Sequence, residues 1–170
     1  MIEYRDARPE DGAALAKMAA DSFVETFGHL YRQEDLAAFL HAAFGPHGLP
    51  AQIGDSAYRI RVATDDDAIA GFCKMGPCAL PSPPVPAGAA ELKQLYVLEP
   101  WKGQGVAREL MEWAIACARA AGAGHLVLSV YADNHRAQRF YARYGLVEIG
   151  AHPFMVGNQP DDDRIWSVAL

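Results

Sequence analysis

The stretch YVLEPWKGQGVARELMEWA, residues 96–114, constrains the fold more than any other part of the chain. The stretch ELKQLYV (Glu91–Val97) reads as a strand, and it enters a turn with two glycines one residue apart. The turn opens an amphipathic run that predicts a long helix from Gly105 to Ala121, stopped by Gly122. A strand that turns directly into such a helix needs a sheet for the helix to pack on. Glycines in the turn can take positive φ and let an anion reach the backbone, while the helix N-terminus offers N–H donors and partial positive charge. A diphosphate is the natural guest, although a GxG turn also serves as a plain tight turn. Two nucleotide-binding patterns fail here. The Walker pattern needs four residues between its glycines, then Lys and Ser or Thr, and GQGVARE has neither. The dinucleotide pattern GxGxxG lacks its third glycine, and the turn lies mid-chain.

The other elements place this unit in one domain, as 170 residues suggest. IEYRDA (Ile2–Ala7) predicts a short strand. Pro9, Glu10 and Asp11 suit a helix start, and Leu15, Met18, Ala19, Ser22, Phe23 and Thr26 recur at helical spacing until Gly28. A second helix is predicted from Gln33 to about Phe44, broken by Gly45, Pro46, Gly48 and Pro50. YRIRVAT (Tyr58–Thr64) and AIAGFCKM (Ala68–Met75) read as a hairpin around an Asp turn. The proline-rich run Gly76–Ala89 is a loop, either a surface connection or a wall of a cleft. HLVLSVY (His125–Tyr131) predicts a strand buried on both faces, followed by a short helix with Asn134 near its start and Gly145 as its stop. LVEIGAH (146–152) and RIWSVAL (164–170) read as two final strands.

Composition excludes several classes. With 51% hydrophobic and 21% charged residues, the chain is not of the disordered type. A net charge of −6 argues against nucleic-acid binding, which needs a basic face. No apolar run approaches the roughly 20 residues of a membrane helix, and the charged N-terminus lacks a signal-peptide core. Cys73, Cys78 and Cys117 are scattered, without CxxC spacing or a His pair, and read as reduced thiols of a cytoplasmic protein without a bound metal.

The glycine turn gains meaning from its surroundings. LYVLEPWKGQGVARELM, then a buried strand, then N-x-x-A-x-x-FY-x-x-x-GL, resembles the GCN5-related N-acetyltransferase (GNAT) superfamily. Its hallmark [QR]-x-x-G-x-[GA] matches Lys102, Gly103, Gln104, Gly105, Val106 and Ala107. Lys102 departs from the usual Gln or Arg, keeping the charge but losing the planar fork. The resemblance implies an α/β (α+β) fold, a mixed central sheet of about seven strands flanked by about four helices. It implies splayed central strands that admit the pantetheine arm of acetyl-CoA as if it were an added strand. Leu95, Tyr96 and Val97 would supply backbone groups to that arm, and Gly103 to Arg108 would wrap the pyrophosphate. Asn134 would bond the pantetheine or acetyl region, or simply cap its helix. Ala137 and Phe140 would line the CoA wall.

For the chemistry, the resemblance implies direct attack by an amine within a ternary complex. Tyr141 would be the general acid beside the CoA sulfur, and the Val97 N–H the oxyanion donor. Glu91 stands where histone-type members carry their general base, although an ordered water chain could replace it. Alternation puts Glu91 on one face with Lys93, Leu95 and Val97, unless a bulge intervenes. Two further stretches, Ser22–Leu40 and His152–Leu170, resemble the PaiA branch, associated with spermidine and spermine acetylation. Glu25, Tyr31, Glu34 and Asp35, and also Asp161, Asp162 and Asp163, could then face a polyamine, or could be surface charge and a turn. The alternatives are acetylation of peptide N-termini or amino acids, and a CoA-binding regulatory module without turnover. A homodimer is compatible with the resemblance.

Overall fold

The computed structural model describes residues 1–170. Seven strands form one sheet in the order β1-β2-β3-β4-β5-β7-β6. They are β1 (Ile2–Asp6), β2 (Arg59–Asp65), β3 (Ala68–Gly76), β4 (Ala90–Val97), β5 (His125–Tyr131), β6 (Val147–Val156) and β7 (Gln159–Ala169). Only β4 and β5 run parallel, and every other neighbouring pair is antiparallel. The helices are α1 (Gly12–Phe27), α2 (Gln33–Phe44), the single turn α3 (Leu49–Gln52), α4 (Val106–Ala120) and α5 (His135–Ala142). This is the mixed sheet with flanking helices that the sequence predicts.

The two faces carry separate cores. On one, α4 buries Val106, Leu110, Met111, Ala114 and Ala118, a stripe at helical spacing. It packs on Cys73, Met75, Leu92, Val97, Leu126 and Leu128. Leu110 and Met111 are fully covered, and each contributes about 1.5–3 kcal/mol by leaving water. On the other face, Leu15, Met18, Ala19 and Phe23 of α1 meet Phe44, Val62 and Phe72. A small third cluster joins Val85 of the proline-rich loop to Val127 and Ile165.

The departures from expectation have local causes. Pro9–Asp11 form a separate 3-10 turn, and α1 begins only at Gly12. Arg5 grips Asp11 with two hydrogen bonds of 2.7 and 2.8 Å, which holds that turn against β1. The turn α3 forms in a stretch read as a break, because Pro50 falls in its first turn, where its missing N–H costs nothing. The largest correction concerns Asp161, Asp162 and Asp163, which lie within β7 rather than in a turn. They stand opposite Phe154, Pro153 and His152 of β6. Aspartate has poor strand propensity, so pairing along the long β6–β7 hairpin overrides local preference here.

Candidate active site

The site begins where the sheet comes apart. β4 and β5 pair only at Ala90–Leu126 and Glu91–Val127, and beyond those residues no ladder joins them. A cavity of about 900 Å³ opens there and passes from one face of the sheet to the other. The backbone amide of Leu98 donates to Ala70 O at 3.0 Å, toward β3. Alternation along that ladder therefore turns the N–H and C=O groups of Leu95 and Val97 toward the opening. These are unpaired strand groups of the kind an extended ligand can use.

On the α4 side, the glycine turn closes one end of the cavity. Gly103 and Gly105 have φ of 81° and 87°, which favour glycine strongly. A Cβ at either position would meet nothing within 4 Å, so the turn presents bare backbone to open space. Gly103, Gly105, Ala107, Arg108 and Lys102 line the cavity. Val106 does not, because its side chain is buried in the core. Gln104 turns outward and bonds Pro100 O at 2.7 Å. The Lys102 ammonium sits 2.6 Å from Glu99, so its charge is already paired. The sequence reading missed Arg136 and Arg143, which line the same region and form no ion pair. In the sequence they stand out only as charges, with no local signal that they face the cavity. Asn134 caps α5 by accepting from Ala137 N at 3.2 Å, leaving its NH2 group as a donor facing the cavity.

Tyr141 on α5 lines the cavity beside Ala137 and Phe140. Burial pushes its phenol well above the usual tyrosine value, with smaller contributions from Cys73 and Tyr96. It is a protonated donor at neutral pH. Tyr144 packs against Phe140, with ring centres 5.3 Å apart, as a structural aromatic.

The opposite half of the cavity is polar. The β3–β4 register shifts between Lys74–Gln94 and Met75–Leu92, which leaves Lys93 as an extra residue in β4. The bulge corrects the alternation argument. Leu92, and not Glu91, joins Leu95 and Val97 in the α4-side core. Glu91 and Lys93 turn to the other face and pair at 3.0 Å. The same Glu91 oxygen accepts from Ala79 N at 2.8 Å, which ties down the proline-rich loop. Ala79 and Leu80 then form part of the cavity wall, so the loop is a wall as well as a connection.

From β7, Asp161 accepts from the Tyr31 hydroxyl and Asp163 from Ser129 Oγ at 2.7 Å. Both aspartates line the cavity. Burial raises the Asp163 carboxyl to about 6, although the Ser129 bond acts the other way. Burial also raises Asp161, and burial followed by the Asp161 contact raises Tyr31. Tyr96 is pushed up to about 12, chiefly by burial. Asp162 points away and pairs with Arg164 at 2.8 Å. Of the other acceptor-facing residues expected, Tyr31 lines the cavity, whereas Glu25 and Glu34 are exposed outside it. Asp35 is buried in a structural role, accepting from Asn158 N at 2.9 Å and pairing with Arg32 at 2.7 Å. Sequence reasoning also passed over Ser129, His152 and Lys74, which line this half. No group of three or more His, Cys, Asp or Glu residues is placed to hold a metal ion.

The sheet is thus split at its one parallel pair, with a bare-backbone glycine turn on one side of the cavity and carboxyl and hydroxyl groups on the other. The acetyltransferase (GNAT) family matches residues 14–146, and the chain belongs to that family. It is an acetyl-CoA-dependent N-acetyltransferase. An uncharacterized N-acetyltransferase of the pepI 3′ region of Lactobacillus delbrueckii subsp. lactis is 27% identical over 156 residues, 90% of this chain and 88% of that protein. The fold is shared with the PaiA N-acetyltransferase of Thermoplasma acidophilum in complex with coenzyme A. That likeness has a TM-score of 0.78 at 20% identity, over 100% of this chain and 99% of that one. The ribosomal-protein-alanine N-acetyltransferase of Brucella melitensis also shares it, with a TM-score of 0.70 at 20% identity over 99% of both chains. No helix is long and apolar enough to cross a membrane.

Proposed function

We propose that the chain transfers acetyl from acetyl-CoA to the primary amine of a small molecule, with Tyr141, the Val97 N–H and Asp163 as the working groups. The observation that carries this reading is the split between β4 and β5, with Tyr141 facing the cavity it creates. Acetyl-CoA fits the residues present. The glycine turn, Arg136 and Arg143 would hold its phosphates, and Leu95 and Val97 backbone groups its pantetheine arm. When bound, it supplies an acetyl thioester open to attack by an amine.

Each residue then has a defined task. Asp163 takes the proton from the incoming ammonium, since its Oδ1 forms no hydrogen bond within the protein and its raised pKa suits exchange near neutrality. The Val97 N–H donates to the carbonyl oxygen as negative charge develops. Tyr141 gives its proton to the departing sulfur. Glu91, expected as the base, is occupied by Ala79 N and Lys93 and serves here to shape the cavity wall.

The acceptor admits two readings that differ in charge. Asp161, Asp163 and Tyr31 support a polyamine such as spermidine, in keeping with the PaiA likeness. Lys74 in the same cavity, which pairs with no carboxylate, supports an amine that also carries an acid group, such as an amino acid or peptide N-terminus. Release of free thiol from acetyl-CoA across a panel of amines tests the reading. Saturable turnover on at least one primary amine supports it, and acetyl-CoA binding without turnover would leave a non-catalytic binding module.

A further inference from the structure

Lys74 is a buried cation of the cavity wall that the transfer does not use. It lies on β3 directly opposite Gln94, at the β4 bulge, and is only 8% exposed. Its ammonium donates to Gln52 Oε1 at 2.7 Å and stands 5.6 Å from the centre of the Tyr58 ring. No carboxylate pairs with it: the nearby Glu91 is taken by Lys93. An ammonium offers three donors, and here one has a protein partner. A buried cation without a counter-ion is costly unless something else supplies the negative charge. Burial, then Lys93, push the group down to about 8, so it remains mostly protonated at pH 7. Chains seldom bury such a lysine in a cavity wall for stability alone, since a neutral residue of similar size would avoid the cost.

We propose that Lys74 is an anion anchor of the acceptor site, so that the physiological acceptor is a small primary amine bearing a carboxylate or phosphonate group. The reading rests on the acetyl-transfer function proposed above. The amine end is received by Asp161 and Asp163 on β7, and the acid end by Lys74 on β3, across the cavity that both line. The groups facing Lys74 are Lys93 and Glu91 of β4, Gln52 of α3 and Tyr58 before β2; the first two cancel each other. A polycation gains nothing from this end and meets the charge of Lys74.

Steady-state thiol release by the full-length enzyme, at saturating acetyl-CoA, is to be compared for propylamine, spermidine, β-alanine and 2-aminoethylphosphonate. β-Alanine or 2-aminoethylphosphonate should exceed propylamine in kcat/KM by about ten-fold or more, and which of the two leads identifies the acid group. Lys74→Met should collapse that ratio, mainly through KM, and Lys74→Arg should restore part of it. Should Lys74→Met fold poorly, Lys74→Gln serves the same comparison. Turnover of propylamine or spermidine with no advantage for the acidic amines would overturn the proposal while leaving acetyl transfer intact. An equal loss for all four amines in Lys74→Met would overturn it as well. No turnover on any of the four would overturn the acetyl-transfer reading together with it.

Discussion

Two side chains carry most of the proposed chemistry, and each owes its state to burial. Tyr141 stays protonated because ionising it would place a phenolate in a half-buried site. Tyr141→Phe should lower kcat by about 10²-fold, within the range for lost general acid catalysis, with little change in the acetyl-CoA dissociation constant. An unchanged kcat in rapid-quench or steady-state assays would remove the residue from the mechanism. Asp163 is raised by burial to about 6, so it binds a proton more tightly folded than unfolded. The sign follows: its ionisation costs stability above about pH 6, and the cost fades as pH falls toward the ordinary value near 4. Asp163→Asn should therefore raise the Tm of the ligand-free protein at pH 8, and raise it less at pH 5. The same variant should lose the acid limb of the kcat/KM profile, which reports a base that must be ionised. A profile whose limb near pH 6 survives in Asp163→Asn would assign the base elsewhere.

At the scale of elements, the turn before α4 and the bulge in β4 set the site. Gly105 has φ of 87° and faces open space, so a glutamate there would combine backbone strain with negative charge where the phosphates belong. Gly105→Glu should weaken acetyl-CoA binding by at least about 10²-fold, measured by calorimetry, while a normal dissociation constant would displace the phosphates from this turn. A second device fixes the far wall. Buried Asp35 of α2 accepts from the Asn158 amide at the β6–β7 turn, which orients the strand carrying Asp161 and Asp163. Asp35→Ala strands that amide and Arg32, and should cost about 1–3 kcal/mol in chemical denaturation. These elements differ in how far the sequence reveals them. The strand–turn–helix around Gly103 and Gly105 was legible because glycine placement and apolar periodicity are local signals. The bulge at Lys93 was not, because it exists only as a mismatch of register with β3, and it reversed the side on which Glu91 falls. The strand Gln159–Ala169 was half hidden for a similar reason: its acidic start becomes a strand only by pairing with β6. Arg136 and Arg143 were visible as charges, but nothing local said that α5 would aim them at the cavity.

At the scale of the whole molecule, charge is partitioned. The chain carries a net −6, yet Lys102, Arg108, Arg136 and Arg143 gather around the proposed phosphate end of the cavity, while Asp161 and Asp163 occupy the acceptor end. Such a split draws an anionic acyl donor to one side and an ammonium to the other. Screening should weaken it, so raising salt about ten-fold, from roughly 0.05 to roughly 0.5 M, should raise KM for acetyl-CoA several-fold with little effect on kcat. A KM independent of salt would show that the basic rim does not contact the phosphates. In the proposed mechanism the gap between β4 and β5 is a place of catalysis and not only of binding. Amine-dependent thiol release, paired with calorimetric acetyl-CoA binding on the same preparation, tests it most directly. Tight acetyl-CoA binding with saturable thiol release that requires a primary amine is the expected result; binding with no acceleration by any amine would leave the gap a binding site alone.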